Sequence, residues 1–291
     1  MLNPLKPWYV YRPRQLLLRV ARGLGEARGP RPVALPWGLT LTVDPSQLIG
    51  KSIWRTGVFE LLVSEALFRL VEPGDVVVDV GANIGYMASI LGLAAGPAGH
   101  LHAFEPSPPV FERLRGNVAG FRRHPGFAAV TLHAEALGEH GGRAELHLPH
   151  DIDSNDGAAQ IARGGTAGHV PITIRRLDDV LAGAEIGVLK LDVEGFEDSV
   201  LRGATALLKT NKVRDVLYED HVGPDGATAN LLRGFGYAVF RLEGRLTGLR
   251  LVAASEPERG PRWESPCFVG TRRPGEVVSR LNTRGWRALG A

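Results

Sequence analysis

The chain has 291 residues, of which 44% are hydrophobic and 22% are charged, and it carries a formal net charge of +3. This length suits one large α/β domain with extensions, and the absence of an apolar run of about 18 residues argues against a membrane-spanning helix. The single cysteine, Cys267, excludes an intramolecular disulfide and a cysteine-rich zinc site, so we expect a cytoplasmic protein.

The positive charge is concentrated near the N-terminus. Residues 1–32 have a net charge of +6, whereas the remaining residues together have a net charge of −3. A nucleic-acid-binding body would be expected to be basic, so we expect no nucleic-acid partner. The basic arm, residues 1–31, is predicted to pack a leucine-rich face on the domain. A second interpretation is contact with an anionic membrane surface.

Residues 32–74 lead into the core. The sequence "VALPWGLTLTVDP" (33–45) alternates apolar and polar residues around a turn and predicts a β-hairpin. The sequence "VFELLVSEALFRLV" (58–71) has apolar residues at helical spacing and predicts an amphipathic helix, which Glu-Pro-Gly at 72–74 ends.

From residue 75 onward, apolar strands and helices alternate, which is typical of a doubly wound, mostly parallel sheet covered on both faces. The predicted strands are 75–80, 99–104, 128–133, 186–191 and 213–219, and the predicted helices are 85–95, 107–119, 196–208 and 227–235. Extra strands are expected at 145–148 and 170–177, around a loop at 150–169, and antiparallel edge strands at 237–242, 249–254 and 267–272. We assign the core domain to 75–272 and a C-terminal tail to 273–291.

The first strand of this core runs into a glycine-containing turn, "VVVDVGANIGYMASI" (76–90). Ligands of open α/β sheets bind beyond the carboxyl ends of the strands, where a helix N-terminus offers free N–H groups. Gly81 and Gly85 allow the backbone to turn tightly and approach a ligand, with Asn83 between them. The turn therefore predicts a cofactor site.

The acid that precedes the turn, Asp79, indicates which cofactor. A dinucleotide would place a doubly negative pyrophosphate here, which a neighbouring carboxylate disfavours. S-adenosylmethionine carries an ammonium and a sulfonium and suits such a turn. Glu105, at the end of the next strand, is predicted to accept hydrogen bonds from the ribose hydroxyls. Glu135 and Ala136, after the third strand, are predicted to meet the adenine.

Several motifs together resemble a known family. "GDVVVDVGANIGY", "HAFEPSP", "RRLDDVL", "VLKLDVEGFEDSVLRGA" and "VLYEDH" occur in the order seen in FkbM-type methyltransferases, over about residues 33–270. The resemblance implies a class I methyltransferase (Rossmann-like) fold and methylation of sugar or polyketide hydroxyls. The N-P-P-Y or D-P-P-Y sequence of many amino-group methylases is replaced by Asp192-Val193-Glu194-Gly195, which disfavours methylation of an exocyclic nitrogen.

The candidate catalytic residues follow the fourth and fifth core strands. Lys190, Asp192 and Glu194 alternate and therefore share one face as the strand ends. They either act on the acceptor or form a structural ion pair, Lys190 with Asp192 or with Glu194. His221, or a carboxylate, is a candidate general base. The oxygen ligands that Mg²⁺ prefers are also available, although we do not favour a metal; the candidate ligands are Asp192, Glu219 and Asp220.

These features predict an S-adenosylmethionine-dependent O-methyltransferase. Its acceptor is expected to be a small molecule or glycan hydroxyl, on a sugar, a glycolipid, or a glycosylated or polyketide natural product. Two alternatives stay open: a non-catalytic S-adenosylmethionine-binding module, and an NAD-dependent oxidoreductase on the same fold. The missing G-x-G-x-x-G motif counts against the oxidoreductase.

Overall fold

The computed structural model describes residues 29–147, 160–161, 169–193, 195–256 and 264–289, together with residues 17, 20–22 and 27. Glu194, most of the arm and most of the 150–169 loop lie outside these ranges, so the predictions for them are not addressed. Within the described ranges, no helix combines the length and the apolar character needed to cross a bilayer.

The N-terminal part begins with the predicted hairpin, β1 (Arg31–Ala34) paired antiparallel with β2 (Thr40–Val43). Two helices follow, α1 (Leu48–Thr56) and α2 (Leu61–Leu70). The sequence pattern did not predict α1, and it started α2 too early, at residue 58. Glu60 has φ 43°, in the left-handed region, so the α-helix can begin only after it.

The remaining strands and helices largely match the predicted alternation. In chain order the strands are β3 (Val76–Val80), β4 (His100–Phe104), β5 (Ala129–His133), β6 (Ala136–Leu137), β7 (Gly142–His147), β8 (Gln160–Ile161), β9 (His169–Arg175), β10 (Ile186–Leu191), β11 (Val213–Glu219), β12 (Ala238–Arg245), β13 (Gly248–Ala253) and β14 (Cys267–Thr271). The helices after α2 are α3 (Tyr86–Ala95), α4 (Pro108–Phe121), α5 (Leu177–Val180), α6 (Glu197–Arg202), α7 (Thr205–Lys209), α8 (Ala227–Gly234) and α9 (Pro274–Leu281).

The central sheet has the strand order β13-β12-β14-β11-β10-β3-β4-β5. Its five core strands, β5, β4, β3, β10 and β11, are parallel. Numbered in chain order, these five strands lie in the order 3-2-1-4-5 across the sheet. The chain adds strands on one side of the first strand and then, after the third, on its other side, as in doubly wound sheets. β14 lies antiparallel between β11 and β12. The predicted class I methyltransferase fold is confirmed, although β12 itself runs parallel to the core strands.

The residues around 136–175 form a second, smaller sheet instead of extending the first. Its strand order is β6-β9-β7-β8, and β9 pairs parallel with β6 and antiparallel with β7. Because β6 follows β5 by only two residues, this sheet holds Ala136 beside the carboxyl end of the central sheet.

Helices cover both faces of the central sheet, which explains the uninterrupted apolar strands. The hairpin and helices α1–α4 and α9 contribute to one hydrophobic core, and α5–α8 contribute to the other. The predicted helix 196–208 is divided into α6 and α7 at Gly203. A Cβ on Gly203 would lie 2.0 Å from the carbonyl oxygen of Gly138, so this position packs directly on another segment of backbone.

The C-terminal segment returns to α2, a contact that no sequence pattern indicated. The carboxylate of Glu264 accepts hydrogen bonds from the backbone N–H groups of Leu61 (3.1 Å) and Leu62 (3.0 Å), at the start of α2. Further along α2, the Arg69 guanidinium donates to backbone carbonyls of the tail, including that of Thr283 at 2.7 Å. Glu65 accepts the N–H of Ala288 at 2.8 Å. The tail thereby fixes α2.

Candidate active site

The turn after β3 has the conformation that its glycines predict. Gly81, Asn83 and Gly85 have φ values of 75°, 48° and 94°, all in the left-handed region. A Cβ on Gly81 would lie 2.0 Å from the backbone oxygen of Asp192. Only glycine therefore lets the ends of β3 and β10 approach this closely. Gly85 has a different role, because a Cβ there would lie 2.9 Å from Leu114 of α4.

A pocket of about 290 Å³ opens at the carboxyl ends of the core strands. It brings together most of the predicted site residues, which come from five separate parts of the sequence. Those that line it are Gly81, Asn83, Glu105, Glu135, Ala136, Lys190, Asp192 and Glu219. The predicted location of the site is therefore reproduced, whereas the roles of these residues stay predictions.

Glu105 lies at the end of β4 and is 7% exposed. Its carboxylate accepts hydrogen bonds from the N–H of Asn83 at 3.0 Å and from the N–H of Ser107 at 2.9 Å. Burial raises the pKa of Glu105 to about 7, against the lowering effect of these two hydrogen bonds. The side chain is thus held at the pocket wall as an acid that titrates near neutral pH.

We expect this titration to make stability depend on pH. The pKa of Glu105 is about 7 in the folded protein against an ordinary 4.5, so the folded state binds the proton more tightly. The stabilisation is present below the ordinary pKa and is lost as pH rises through the folded pKa. Between about pH 5 and pH 8, the free energy of unfolding should fall by roughly 3 kcal/mol more in the wild type than in Glu105→Gln. Urea unfolding of both proteins across this pH range would measure the free energies of unfolding. An equal pH dependence in the two proteins would contradict the prediction.

Lys190 is a buried cation between two carboxylates. Its Nζ lies 3.0 Å from Asp79 Oδ1 and 3.4 Å from Asp192 Oδ2, and it donates to the Gly81 carbonyl at 3.0 Å. Burial opposes its charge, but Asp79 and Asp192 outweigh burial and raise the pKa of Lys190 above its usual range. Lys190 therefore stays protonated and cannot accept a proton. It supports the turn and orients Asp192.

Asp79 lies beneath the turn and not at the pocket surface. Its carboxylate is fully buried, and burial raises its pKa against the lowering effect of Lys190. Although Lys190 Nζ is close, neither Asp79 oxygen has a well-aligned hydrogen bond among the described residues. Asp79 itself does not line the pocket, whereas its partner Lys190 does. Asp79 was not among the predicted partners of Lys190, which were Asp192 and Glu194.

Two further carboxylates reach the pocket, from Glu60 and Glu219. Glu219, at the end of β11, was among the candidate metal ligands and the carboxylates considered as a general base, whereas Glu60 was not predicted. Burial first, and then the nearby Asp192, raises the pKa of each of these carboxyl groups. Glu60 could not be found from helical periodicity, because it lies just before a helix that the pattern had begun at residue 58.

Two further predicted residues, His221 and Asp220, do not line the pocket. His221 is largely exposed, and its Nε2 lies 2.7 Å from Glu219 Oε1. The Asp220 carboxylate accepts the N–H of Val222 at 2.7 Å, within its own loop. Within the described ranges, no three His, Cys, Asp or Glu side chains are grouped so that they could hold a metal ion, and this includes the candidate ligands Asp192, Glu219 and Asp220.

The opposite end of the pocket is formed by the start of the small sheet. Ala136 in β6 is buried and Glu135 is partly exposed, and both line the pocket beside Phe104 and Leu137. The carboxylate of Glu135 lies 3.6 Å from Arg175 Nη1. This end of the pocket therefore combines apolar side chains with one carboxylate.

The Methyltransferase FkbM domain family matches residues 79–239, more than half of the chain. The chain belongs to the FkbM methyltransferase family. As the match includes both Asp79 and Glu219, the turn and the carboxylates at the ends of β10 and β11 are part of the family domain.

Two relatives agree with this membership. The 31-O-demethyl-FK506 methyltransferase FkbM of Streptomyces tacrolimicus is 35% identical over 202 residues, covering 57% of this chain and 74% of that protein. The hexuronic acid methyltransferase AglP of Haloferax volcanii is 33% identical over 187 residues, covering 60% of this chain and 69% of that protein. A solved FkbM methyltransferase from Methylobacillus flagellatus KT has 15% identity and a TM-score of 0.43, covering 92% of this chain and 61% of that one. The fold assignment therefore depends on the strand order of this protein's own sheet.

Proposed function

We propose that this FkbM-type methyltransferase transfers a methyl group from S-adenosylmethionine to a hydroxyl group. The acceptor would be a small molecule or glycan, such as a sugar, a glycolipid, or a glycosylated or polyketide natural product. The observation that carries the proposal is the pocket itself, in which the glycine turn and Glu105 meet the Lys190–Asp192 pair. The names of the two relatives, a 31-O-demethyl-FK506 methyltransferase and a hexuronic acid methyltransferase, support this acceptor class.

The residues of the pocket fit this cofactor. Gly81 and Asn83 bring backbone close to the space, and Glu105 is anchored by two N–H groups while its carboxylate lines the pocket. Glu135 and Ala136 would hold the adenine, and Glu105 the ribose hydroxyls. The carboxylates at the other end of the pocket attract the positively charged ammonium and sulfonium of the cofactor. They would repel the negatively charged pyrophosphate of a dinucleotide. This charge argues against the oxidoreductase alternative.

The chemistry divides between the cofactor and the protein. When bound, S-adenosylmethionine supplies an electrophilic methyl group and a neutral leaving group. The protein must align the acceptor oxygen and take its proton, because an aliphatic hydroxyl is a weak nucleophile. Asp192 is our candidate for the general base that accepts this proton. Lys190 stays protonated and holds the Asp192 carboxylate at the pocket. A non-catalytic binding module would not need this arrangement.

Cofactor binding can be tested before the acceptor is known. Isothermal titration calorimetry should show that the purified protein binds S-adenosylhomocysteine. Glu105→Ala should lose roughly 1–3 kcal/mol of binding free energy, because hydrogen bonds to a charged acceptor are removed. Glu112→Ala, on the exposed side of α4, serves as the control and should bind normally. Binding of NAD without binding of S-adenosylhomocysteine would refute the proposal.

The acceptor class needs a separate experiment. Tritium-labelled S-adenosylmethionine would be offered with a panel of neutral hexopyranosides, hexuronic acids and macrolides, and label in the acceptor would be counted after separation. Transfer to an oxygen of any of these compounds supports the proposed function. Transfer confined to amino groups of an aminosugar panel run in parallel would exclude O-methylation.

A further inference from the structure

Three carboxylates form one side of the pocket, and we call Glu60, Asp192 and Glu219 the acidic wall. They come from the start of α2 and from the ends of β10 and β11, and all three line the cavity. Glu60 is partly buried, and the side chains of Asp192 and Glu219 are 34% and 19% exposed. Like charges at such a site oppose one another unless a cation lies between them.

The protein holds Glu60 at this wall by an unusual backbone conformation. Glu60 is not a glycine, yet its φ is 43°, which costs free energy and is found mostly where the surrounding structure enforces it. The flanking residues are fixed on both sides. The N–H of Phe59 donates to the Tyr86 hydroxyl at 2.9 Å, and Glu264 accepts the N–H groups of Leu61 and Leu62. The fold therefore directs this carboxylate into the pocket despite the strain.

The charges that face Glu60 leave the wall with an excess of negative charge. Burial first, and then Asp192, Glu219 and Glu264, raises the pKa of Glu60 well above its ordinary value. Lys190 acts in the opposite direction, but it already pairs with Asp79 and Asp192. The buried Cys267 thiol also faces this region, and burial followed by Glu60 raises its pKa. A second cation within the pocket would stabilise the ionised wall.

We propose that the acidic wall, through Glu60, binds the positively charged methyl donor in preference to the demethylated product and releases a proton when that charge enters. This inference rests on the proposed function, because it assumes S-adenosylmethionine as the donor. The donor carries a positive sulfonium, whereas its product has an uncharged thioether. Two unit charges a few ångströms apart near a protein surface interact by several kcal/mol, enough for a strong preference. The wall would thereby favour binding of donor and departure of product.

Calorimetry can isolate this effect without an acceptor. The probes are S-adenosylhomocysteine, which is neutral at sulfur, and sinefungin, in which an amine-bearing carbon replaces the methylated sulfur and supplies the positive charge. Each would be titrated near pH 6.5 in two buffers with different ionisation enthalpies, so that the protons released are counted. We expect wild-type protein to bind sinefungin at least about tenfold more tightly than S-adenosylhomocysteine and to release up to about one proton more with it, because the two probes share their ammonium and ribose and differ in this one charge.

The variant Glu60→Gln should reduce the preference for sinefungin by about 10- to 100-fold and abolish most of the proton release, while S-adenosylhomocysteine affinity changes little. Glu112→Gln, a matched change on the exposed side of α4, should leave both quantities unchanged. Melting temperatures would verify folding. If Glu60→Gln does not fold, Glu219→Gln tests the same wall.

The outcomes separate this inference from the function on which it rests. Wild-type protein that binds both probes equally and releases no proton overturns the inference and leaves the methyltransferase proposal standing. An unchanged preference in folded Glu60→Gln overturns the role of Glu60. Failure of wild-type protein to bind either probe, or S-adenosylmethionine itself, overturns the proposed function and with it this inference.

Discussion

Asp192→Asn is expected to lower turnover by about 10²–10⁴, the range for loss of an acid–base group. Asparagine has nearly the size of aspartate but cannot accept the proton of an acceptor hydroxyl. The backbone N–H of Asp192 bonds to Val80 at 3.1 Å, and this contact is unaffected by the substitution. Lys190 also keeps its contact with Asp79. Folding and S-adenosylhomocysteine affinity should therefore change little. Initial rates of methyl transfer to an acceptor found in the panel would measure the effect.

The matched control is Asp198→Asn, in which a more exposed aspartate of α6 loses only a weak contact with Arg202. Its turnover should equal that of the wild type. If folded Asp192→Asn also retained normal turnover but had a lower melting temperature, Asp192 would be a structural partner of Lys190. The search for the base would then move to the Glu219–His221 pair, whose facing atoms are 2.7 Å apart.

Arg214→Met is expected to lower the free energy of unfolding by about 3–5 kcal/mol, the cost of leaving buried carboxylates without their partner. Arg214 is the second residue of β11 and lies at the amino ends of the core strands, opposite the pocket. It donates to both oxygens of Asp75 at 2.7 Å and to the fully buried Asp215 at 2.9 Å. Methionine retains much of the apolar volume of arginine but none of these donors. Urea unfolding monitored by far-ultraviolet circular dichroism would give the change.

Arg115→Met is the control, because Arg115 pairs with Glu112 on an exposed surface and such pairs contribute less than about 1 kcal/mol. The folded fraction of Arg214→Met should bind S-adenosylhomocysteine with wild-type affinity, since the substitution lies at the other end of the strands. Thr271 and Arg273 also contact Asp215. A loss of stability no larger than that of the control would show that these two residues suffice to stabilise the Asp215 carboxylate.

The sequence was informative wherever a residue type is required locally. Continuous apolar strands predicted the parallel core, and Gly81 predicted a tight turn, whereas the segment that it approaches closely is the backbone of Asp192. The alternation of Lys190 and Asp192 correctly placed both on one face of β10. Each of these predictions depends on a few neighbouring residues and on the regular geometry of a strand or turn.

The sequence was uninformative where the site depends on contacts between distant segments. The partner of Lys190 across the sheet, Asp79, is 111 positions away and follows from the register of β10 on β3. Glu60 lines the pocket because Tyr86 and Glu264 accept hydrogen bonds from the backbone N–H groups of the residues on either side of it. Neither contact leaves a periodic pattern. The division of helix 196–208 at Gly203 likewise results from packing against Gly138 and not from helix propensity.

The capping of α2 by Glu264 also determines when the pocket can form during protein synthesis. Leu61 and Glu264 are 203 residues apart, so at about 5–20 residues per second the ribosome adds the second roughly 10–40 s after the first. Until then, the start of α2, next to Glu60, lacks its cap, and the central sheet lacks β14, which lies between β12 and β11. The acidic side of the pocket is therefore assembled from segments that are synthesised early and late, and the support for Glu60 is incomplete until residue 264 has been added.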